Sequence, residues 1–442
     1  VQTCALPILN FGFDRWQPIT TYASQGFITS FTEMVNELPI EKPEDYTPDE
    51  AQSIEQELAA TYDSTYGSSE QRAAAVAQFN EIKPTIVAVM NESFSDLSCF
   101  EQLQAAGYTG PAFYNSLPDT LVRGTMLASV TGGGTANSEF EFLTGATTAF
   151  VGLGKIPYQL YQMNGVNSLA KDLKELGYTA TAMHPQNPVN YHRDKIYQQL
   201  GFGDFLSIGD FEGAPCYHAG VCDYATYDKI LDLLRTDEAP QFIFDVTMQN
   251  HGGYDYGTVP AEELTNYWVE GASEGANSAL NTYLTCINAS DRDLEYFINE
   301  LRNIGRPVVL VFFGDHQPSA ATTLNDELYP QEDTASHAFR VYQSTYFVWA
   351  NYEIAGNTEL NVYDTVGANE IAAITLNKIG APLTDYQKAL LATRSDVPTI
   401  NVAGYLGADG LRYDLESEDS PYTSTIDKLQ RMQYLEFASK VQ

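Results

Sequence analysis

The sequence predicts an α/β fold built on a central, mostly parallel sheet flanked by helices. Three observations carry that expectation. Four apolar, β-branched runs each end in a residue able to hold a metal or a phosphate: 85–90 leads into Asn91-Glu92, 179–183 into His184, 242–248 into Asn250-His251, and 308–313 into Gly314-Asp315-His316. Helical patterns separate the runs, which is the alternation of βαβ units. At 442 residues with a 44% hydrophobic share, the chain is long enough for one large domain with additions, or for two, around a real core. In an open parallel sheet, ligands bind beyond the carboxyl ends of the strands, so the polar tips are expected to meet at one edge.

Taken in order, residues 1–80 read as a helical arm or connector. Within it the stretch 41–57 is acidic and proline-containing, and 49–60 forms a polar helix that Asp49 can cap. Residues 81–380 are expected to form the catalytic α/β domain. Asn167-Ser168 opens a helix with Leu169, Leu173 and Leu176 on one face and Gly177 as its stop, leading to the strand that ends at His184. Ser290 is expected to open another, with Leu294, Phe297, Ile298 and Leu301 inward, before the strand to Asp315. Residues 381–442 weaken into short strands and turns around Gly404, Gly407 and Gly410 and then a final helix, a small C-terminal α+β subdomain.

Charge narrows the function classes. Twenty-three basic against 58 acidic residues give −35, which repels nucleic acid, so no nucleic-acid partner is expected. A substrate phosphate needs a metal, helix N-termini or placed Arg and His to offset that field. No stretch approaches the roughly 18 apolar residues of a membrane helix. The chain starts abruptly at Val1 without an initiator Met, as a fragment would. Among the five cysteines, Cys216 and Cys222 flank a short loop and are compatible with either a small disulfide or two free thiols; Cys286 reads as a core residue.

The chemistry concentrates in two segments. Thr131 to Phe140 holds three successive glycines before Thr135, so the backbone can approach a ligand closely and Thr135 sits in the positive field of a helix start. A threonine hydroxyl is a poor nucleophile until a divalent cation lowers its pKa. No Gly-Lys-Ser/Thr follows and no strand directly precedes, which excludes a Walker A loop and a dinucleotide fingerprint. Asp315-His316 at a strand tip suits Zn²⁺ or Mn²⁺, with Glu92 from another strand as a third ligand and Thr135 as a fourth.

Asn91-Glu92-Ser93-Phe94, the GGGTANSEFEFLTG segment at 132–145, Met248-Gln249-Asn250-His251-Gly252 and Phe313-Gly314-Asp315-His316-Gln317-Pro318 resemble, in the same order, signature segments of the lipoteichoic acid synthase family. These are phosphoglycerol transferases with a sulfatase-like domain of the alkaline phosphatase superfamily. The resemblance implies a sulfatase-like α/β sandwich and one divalent ion, Mn²⁺ before Mg²⁺ or Zn²⁺. It makes Thr135 nucleophile and metal ligand, with Glu92, Asp315 and His316 completing the shell. It places His184, Tyr191, Arg193 and His251 around a phosphoglycerol head group, with His251 available to protonate the leaving oxygen. Tyr191 stands where the family often has Trp. His192, His218 and His337 are left as surface or structural residues.

The implied partners are the phosphatidylglycerol head group, a glycerophosphate polymer or glycolipid acceptor, and the membrane surface, reached through an N-terminal transmembrane region that precedes this soluble ectodomain. The implied setting is a monomer at the extracellular face of a Gram-positive membrane. A sulfatase would need a Cys or Ser in a C/S-x-P-x-R context, which Thr135 to Glu139 lacks. A phosphoethanolamine transferase or a phosphodiesterase or phosphatase of the same superfamily stays open, although two zinc ions would demand more ligands than six histidines and their neighbours supply. A wall-polymer binding module without turnover is the remaining alternative.

Overall fold

The computed structural model describes residues 18–441; Cys4 and the start of the expected arm lie outside them. The core is an eight-stranded sheet: β1 (Thr85–Asn91), β2 (Thr120–Leu127), β3 (Thr179–Met183), β4 (Asp204–Leu206), β5 (Gln241–Val246), β6 (Val308–Gly314), β7 (Gln343–Ala350) and β8 (Val362–Gly367), in the order β8-β2-β7-β6-β1-β5-β3-β4. Every neighbouring pair is parallel except those of β7, which runs antiparallel to β2 and β6. The four runs singled out in the sequence are β6, β1, β5 and β3, which lie side by side and parallel. Their carboxyl ends therefore share one edge.

Alternation along these strands builds two cores. Ile86, Ala88 and Met90 of β1 with Val309, Val311 and Phe313 of β6 face one layer, which includes Phe140, Phe142 and Leu143 of the helix Thr135–Thr144. Val87, Val89, Val308, Leu310 and Phe312 face the other, against the helices Asp223–Thr236 and Glu274–Arg302. A strand buried on both faces reads as a continuous apolar run, which is why these four were visible.

Two expectations change. The arm helix is Pro48–Ser64, capped by the Thr47 side chain on Glu50 N–H with proline in the first turn, so Asp49 is a first-turn acid and not the cap. Ser290 does not open a helix: one helix runs Glu274–Arg302 from a Ser273 cap, and the Ser290 hydroxyl inside it binds the Asp223 carboxylate. A strand that the sequence did not single out, β2, ends at Leu127, ahead of the glycine loop without running directly into it. The C-terminal region holds a three-stranded antiparallel sheet over Thr399–Asn401, Gly404–Leu406 and Arg412–Tyr413, then the helix Thr423–Gln433. Cys216 and Cys222 are both free thiols. Cys216 lies opposite Val221 in a short hairpin, so Cys222, one residue on, points to the other face, buried where Cys216 is exposed. Among the described residues no helix is long and apolar enough to cross a membrane.

Beneath the active edge, Asp245 of β5 is fully buried, and burial pushes its carboxyl from 3.8 up to about 8 despite the Thr226 hydroxyl that donates to it at 2.6 Å. A raised acid pKa means the folded chain holds the proton more tightly, so this group's contribution to stability is complete below the unfolded pKa and is lost as pH rises through the folded one. Asp245→Asn keeps an acceptor for Thr226 and is expected to stabilise more at about pH 8 than at about pH 5, by on the order of 2–4 kcal/mol. Chemical denaturation of both proteins at the two pH values measures this; an equal effect at both would show that the carboxyl does not titrate in that range.

Candidate active site

The site starts at the tip of β1. Ser93 takes a left-handed conformation, φ 54°, and turns the chain directly after Glu92. Its N–H donates to Asp315 Oδ1 at 2.7 Å and its hydroxyl to Glu92 Oε1 at 2.9 Å. Thr247 Oγ1 accepts from Glu92 N–H at 3.1 Å, and Asn250 Nδ2 donates to the Glu92 carbonyl at 3.2 Å. Asn250 also reaches Ser290 Oγ at 2.8 Å, whose hydroxyl binds Asp223. The chain around Glu92 is thus held by β5's exit loop and by the mid-helix serine.

Asp315 and His316 follow the last residue of β6, where the chain is free to bend. Asp315 Oδ1 takes the N–H groups of Ser93 and His316, at 2.7 and 2.9 Å. His316 Nδ1 faces the Gln317 carbonyl at 2.9 Å, so Nδ1 is the donor and Nε2 carries the lone pair of the neutral ring. Asp315 Oδ2 and His316 Nε2 lie 3.1 Å apart, buried and without a well-formed hydrogen bond. One ligand atom each from Glu92, Asp315 and His316 lies within 4.8 Å of the others, all buried. Burial, then the Glu92 charge, pushes the Asp315 carboxyl up to about 6. Burial would lower the His316 imidazole, but the Asp315 and Glu92 carboxylates outweigh it and hold it above its ordinary value. Two carboxylates and an imidazole with orphaned inward atoms are the donor set of a divalent cation site, and these residues could hold one.

Thr135 is the first residue of the helix Thr135–Thr144, and Gly132, Gly133 and Gly134 before it have φ of 64, 154 and 88°. A side chain at Gly134 would meet Val130 at 2.9 Å, so the close turn that presents Thr135 depends on glycine there. Thr135 Oγ1 stands 3.4 Å from Glu92 Oε2 and also neighbours the Asp315 carboxylate. The structure brings Glu92, Thr135, Asp315 and His316 together, and Glu92, Thr135 and His316 line a cavity of about 690 Å³ whose walls include His184, Tyr191, Arg193 and His251.

His184, directly after β3, is buried with Nδ1 2.8 Å from the Val246 carbonyl, which fixes Nδ1 as donor. Burial, then the Arg193 charge, holds it well below its ordinary pKa, so Nε2 is a neutral acceptor. Arg193 is buried and pairs side-on with Glu139, Nε to Oε1 at 3.0 Å, while Tyr197 donates to Glu139 Oε2 at 2.7 Å and the Tyr191 ring lies 4.9 Å from the guanidinium. Glu139, one turn beyond Thr135, was not singled out in the sequence, yet it ties Arg193 to the helix that presents Thr135. His251 is exposed at the rim, and His218 Nε2 holds its carbonyl at 3.1 Å. His192, set aside in the sequence, lines the cavity; His337 sits elsewhere, 3.2 Å from Asp326.

The sulfatase family pattern matches residues 84–371, more than half of the chain. A curated relative named "Putative cyclic beta-1,2-glucan modification protein", from Rhizobium meliloti (strain 1021), is 30% identical over 254 residues, 57% of this chain and 38% of that protein. The chain therefore spans well under half the length of that relative. Among solved structures, the Streptococcus pyogenes phosphoglycerol transferase GacH, bound to sn-glycerol-1-phosphate, superposes with TM-score 0.67 at 23% identity, covering 90% of this chain and 95% of that one. The lipoteichoic acid synthase LtaP from Listeria monocytogenes follows with TM-score 0.57 at 16% identity, covering 86% and 97%. At these identities the two structures show a shared fold: an α/β architecture with a large, mostly parallel central sheet flanked by helices. On the family match, this chain belongs to the sulfatase family.

Proposed function

We propose that the chain moves glycerol phosphate from phosphatidylglycerol to a hydroxyl acceptor, through a covalent phosphothreonine at Thr135, on the outer face of a membrane. The observation that carries this reading is the buried Thr135 hydroxyl at a helix N-terminus, 3.4 Å from Glu92 Oε2 and beside Asp315, opening into a cavity that also holds Arg193 and three histidines besides His316. The orphaned atoms Asp315 Oδ2 and His316 Nε2 fit a divalent ion, for which we assign Mn²⁺, held by Glu92, Asp315, His316 and Thr135. When bound, that ion lowers the threonine pKa and offsets phosphate charge.

The rest is done by side chains. Ionised Thr135 Oγ1 attacks phosphorus in line, and the bond to the diacylglycerol oxygen breaks as His251 donates its proton to it. Arg193 N–H groups and the helix N-terminus meet the equatorial oxygens. His184 Nε2 is an acceptor, so it takes a glycerol hydroxyl and not a phosphate oxygen. The acceptor oxygen then bonds to phosphorus, its proton passes to His251, and the bond to Thr135 Oγ1 breaks. The cycle leaves Thr135 and His251 as they began.

The name of the glucan-modifying relative and the bound ligand of the GacH structure are consistent with this class of substrate. With Mn²⁺ and head-group-labelled lipids, release from phosphatidylglycerol is expected to exceed release from phosphatidylethanolamine by about tenfold or more, since an ammonium offers His184 a donor but lacks the diol. Faster release from phosphatidylethanolamine would replace this reading with phosphoethanolamine transfer.

A further inference from the structure

The cavity around Thr135 is larger than the group it would transfer. Its volume is about 690 Å³, whereas glycerol phosphate has about ten heavy atoms, and cavities of about 300–1,000 Å³ hold drug-sized ligands. Beyond the residues already assigned a part in the reaction, the cavity's lining includes Gln159, Gln186 and Asn190 together with Tyr191 and His192. Gln159 and His192 also line a second hollow of about 150 Å³ that continues past the helix Arg193–Gln199. Tyr158, whose buried hydroxyl has no hydrogen-bond partner, also lines that hollow.

The wall between the hollows is built at a cost. Tyr191 and His192 both adopt left-handed conformations, φ 55 and 60°, which costs a non-glycine residue of order 1–3 kcal/mol each. Bonds from His192 N–H to the Val189 carbonyl and from Asp194 N–H to the Pro188 carbonyl, both 2.9 Å, hold the turn. The turn sets an aromatic ring and an imidazole beside primary amides. Each amide offers two donors and an acceptor oxygen, the pattern that matches vicinal hydroxyls.

Charge speaks against a polyanion on this wall. Among the described residues lining the two hollows, the fixed cations are Arg193 and Lys195, and Arg193 is already paired with Glu139. A glycerophosphate polymer brings one charge per unit toward a chain of net charge −35 and would need a cationic track.

We infer that the Gln159, Gln186, Asn190, Tyr191 and His192 wall, with Tyr158 beyond it, is the acceptor site, and that its acceptor is an uncharged glycan rather than a glycerophosphate chain. The inference rests on the phosphoglycerol-transfer reading above. In the test, the protein with Mn²⁺ and head-group-labelled phosphatidylglycerol receives either a neutral glucan oligosaccharide or an oligo(glycerol phosphate) of matched length, and label is followed into acceptor and into water. Label is expected in the glucan. Gln186→Ala and Asn190→Ala are expected to lower that transfer by about tenfold, one lost hydrogen-bonded contact each, and to leave release into water within about twofold. Preference for oligo(glycerol phosphate), or release into water with no transfer to glucan, would overturn the inference and leave the donor reading standing. Should no label be released at all, the donor reading fails instead; glucan binding by saturation-transfer NMR, and its loss in Asn190→Ala, then decides the acceptor wall on its own.

Discussion

Thr135→Ala is expected to abolish head-group release, by on the order of 10³-fold or more, while the fold persists. A covalent nucleophile has no substitute within reach, and losses of this size follow removal of such groups. Little in the fold depends on the hydroxyl. The cap of its helix is Gly134, with no side-chain cap bond, and Thr135 Oγ1 makes a long 3.4 Å contact to Glu92. Helix propensity favours alanine over threonine. The melting temperature is therefore expected to move by no more than a few degrees, and Thr135→Ser to retain measurable turnover. Head-group release from labelled phosphatidylglycerol beside a thermal melt checks both. Turnover retained in the alanine variant would remove Thr135 from the mechanism.

The second large effect is expected at Asp315. Without an ion, Glu92 and Asp315 are two buried carboxylates facing each other, and Asp315 is held up to about 6 by burial and then by Glu92. Its folded pKa lies above the unfolded one, so the ion-free pair lowers stability as pH rises through about 6. Asp315→Asn removes that repulsion and keeps an acceptor for the Ser93 and His316 N–H groups. The variant without added metal is expected to melt at or slightly above the parent at neutral pH. With Mn²⁺ the order reverses. The parent gains about 2.7 kcal/mol at a hundredfold excess over Kd, and the variant gains little because it has lost an anionic ligand. Turnover is expected to fall by at least about a hundredfold. Equal stabilisation of both proteins by Mn²⁺ would place the ion elsewhere.

Much of this arrangement could be read from the sequence, for a physical reason. Strands buried on both faces must be apolar throughout, so β1, β3, β5 and β6 stood out, and parallel pairing put Glu92, His184, the Asn250-His251 segment and Asp315-His316 at one edge. β2 was missed because Arg123 and Gly124 interrupt it. Gly124 is needed there because a side chain would strike the Asp364 carbonyl on the neighbouring strand β8. The long helix was started too late because Asn277, Asn281 and Thr285 look like turn residues. In the structure their side chains leave the helix face to bind the backbone of the 265–269 segment, Asn277 Oδ1 taking Val269 N–H at 2.7 Å and Thr285 Oγ1 taking Thr265 N–H at 3.0 Å.

Glu139 was invisible for a different reason. A carboxylate in the first turns of a helix usually faces water, and its partner Arg193 lies 54 positions away. No local pattern announces such a pair. His192 was passed over because two successive left-handed residues without glycine or asparagine leave no composition signal.

Anomalous diffraction at the manganese edge, from crystals soaked with Mn²⁺ and glycerol phosphate, tests the cation site most directly. One peak is expected, bounded by Glu92, Asp315, His316 and Thr135 Oγ1, with the phosphate reaching Arg193. A peak at another place, or none while the enzyme turns over in the same buffer, would contradict it.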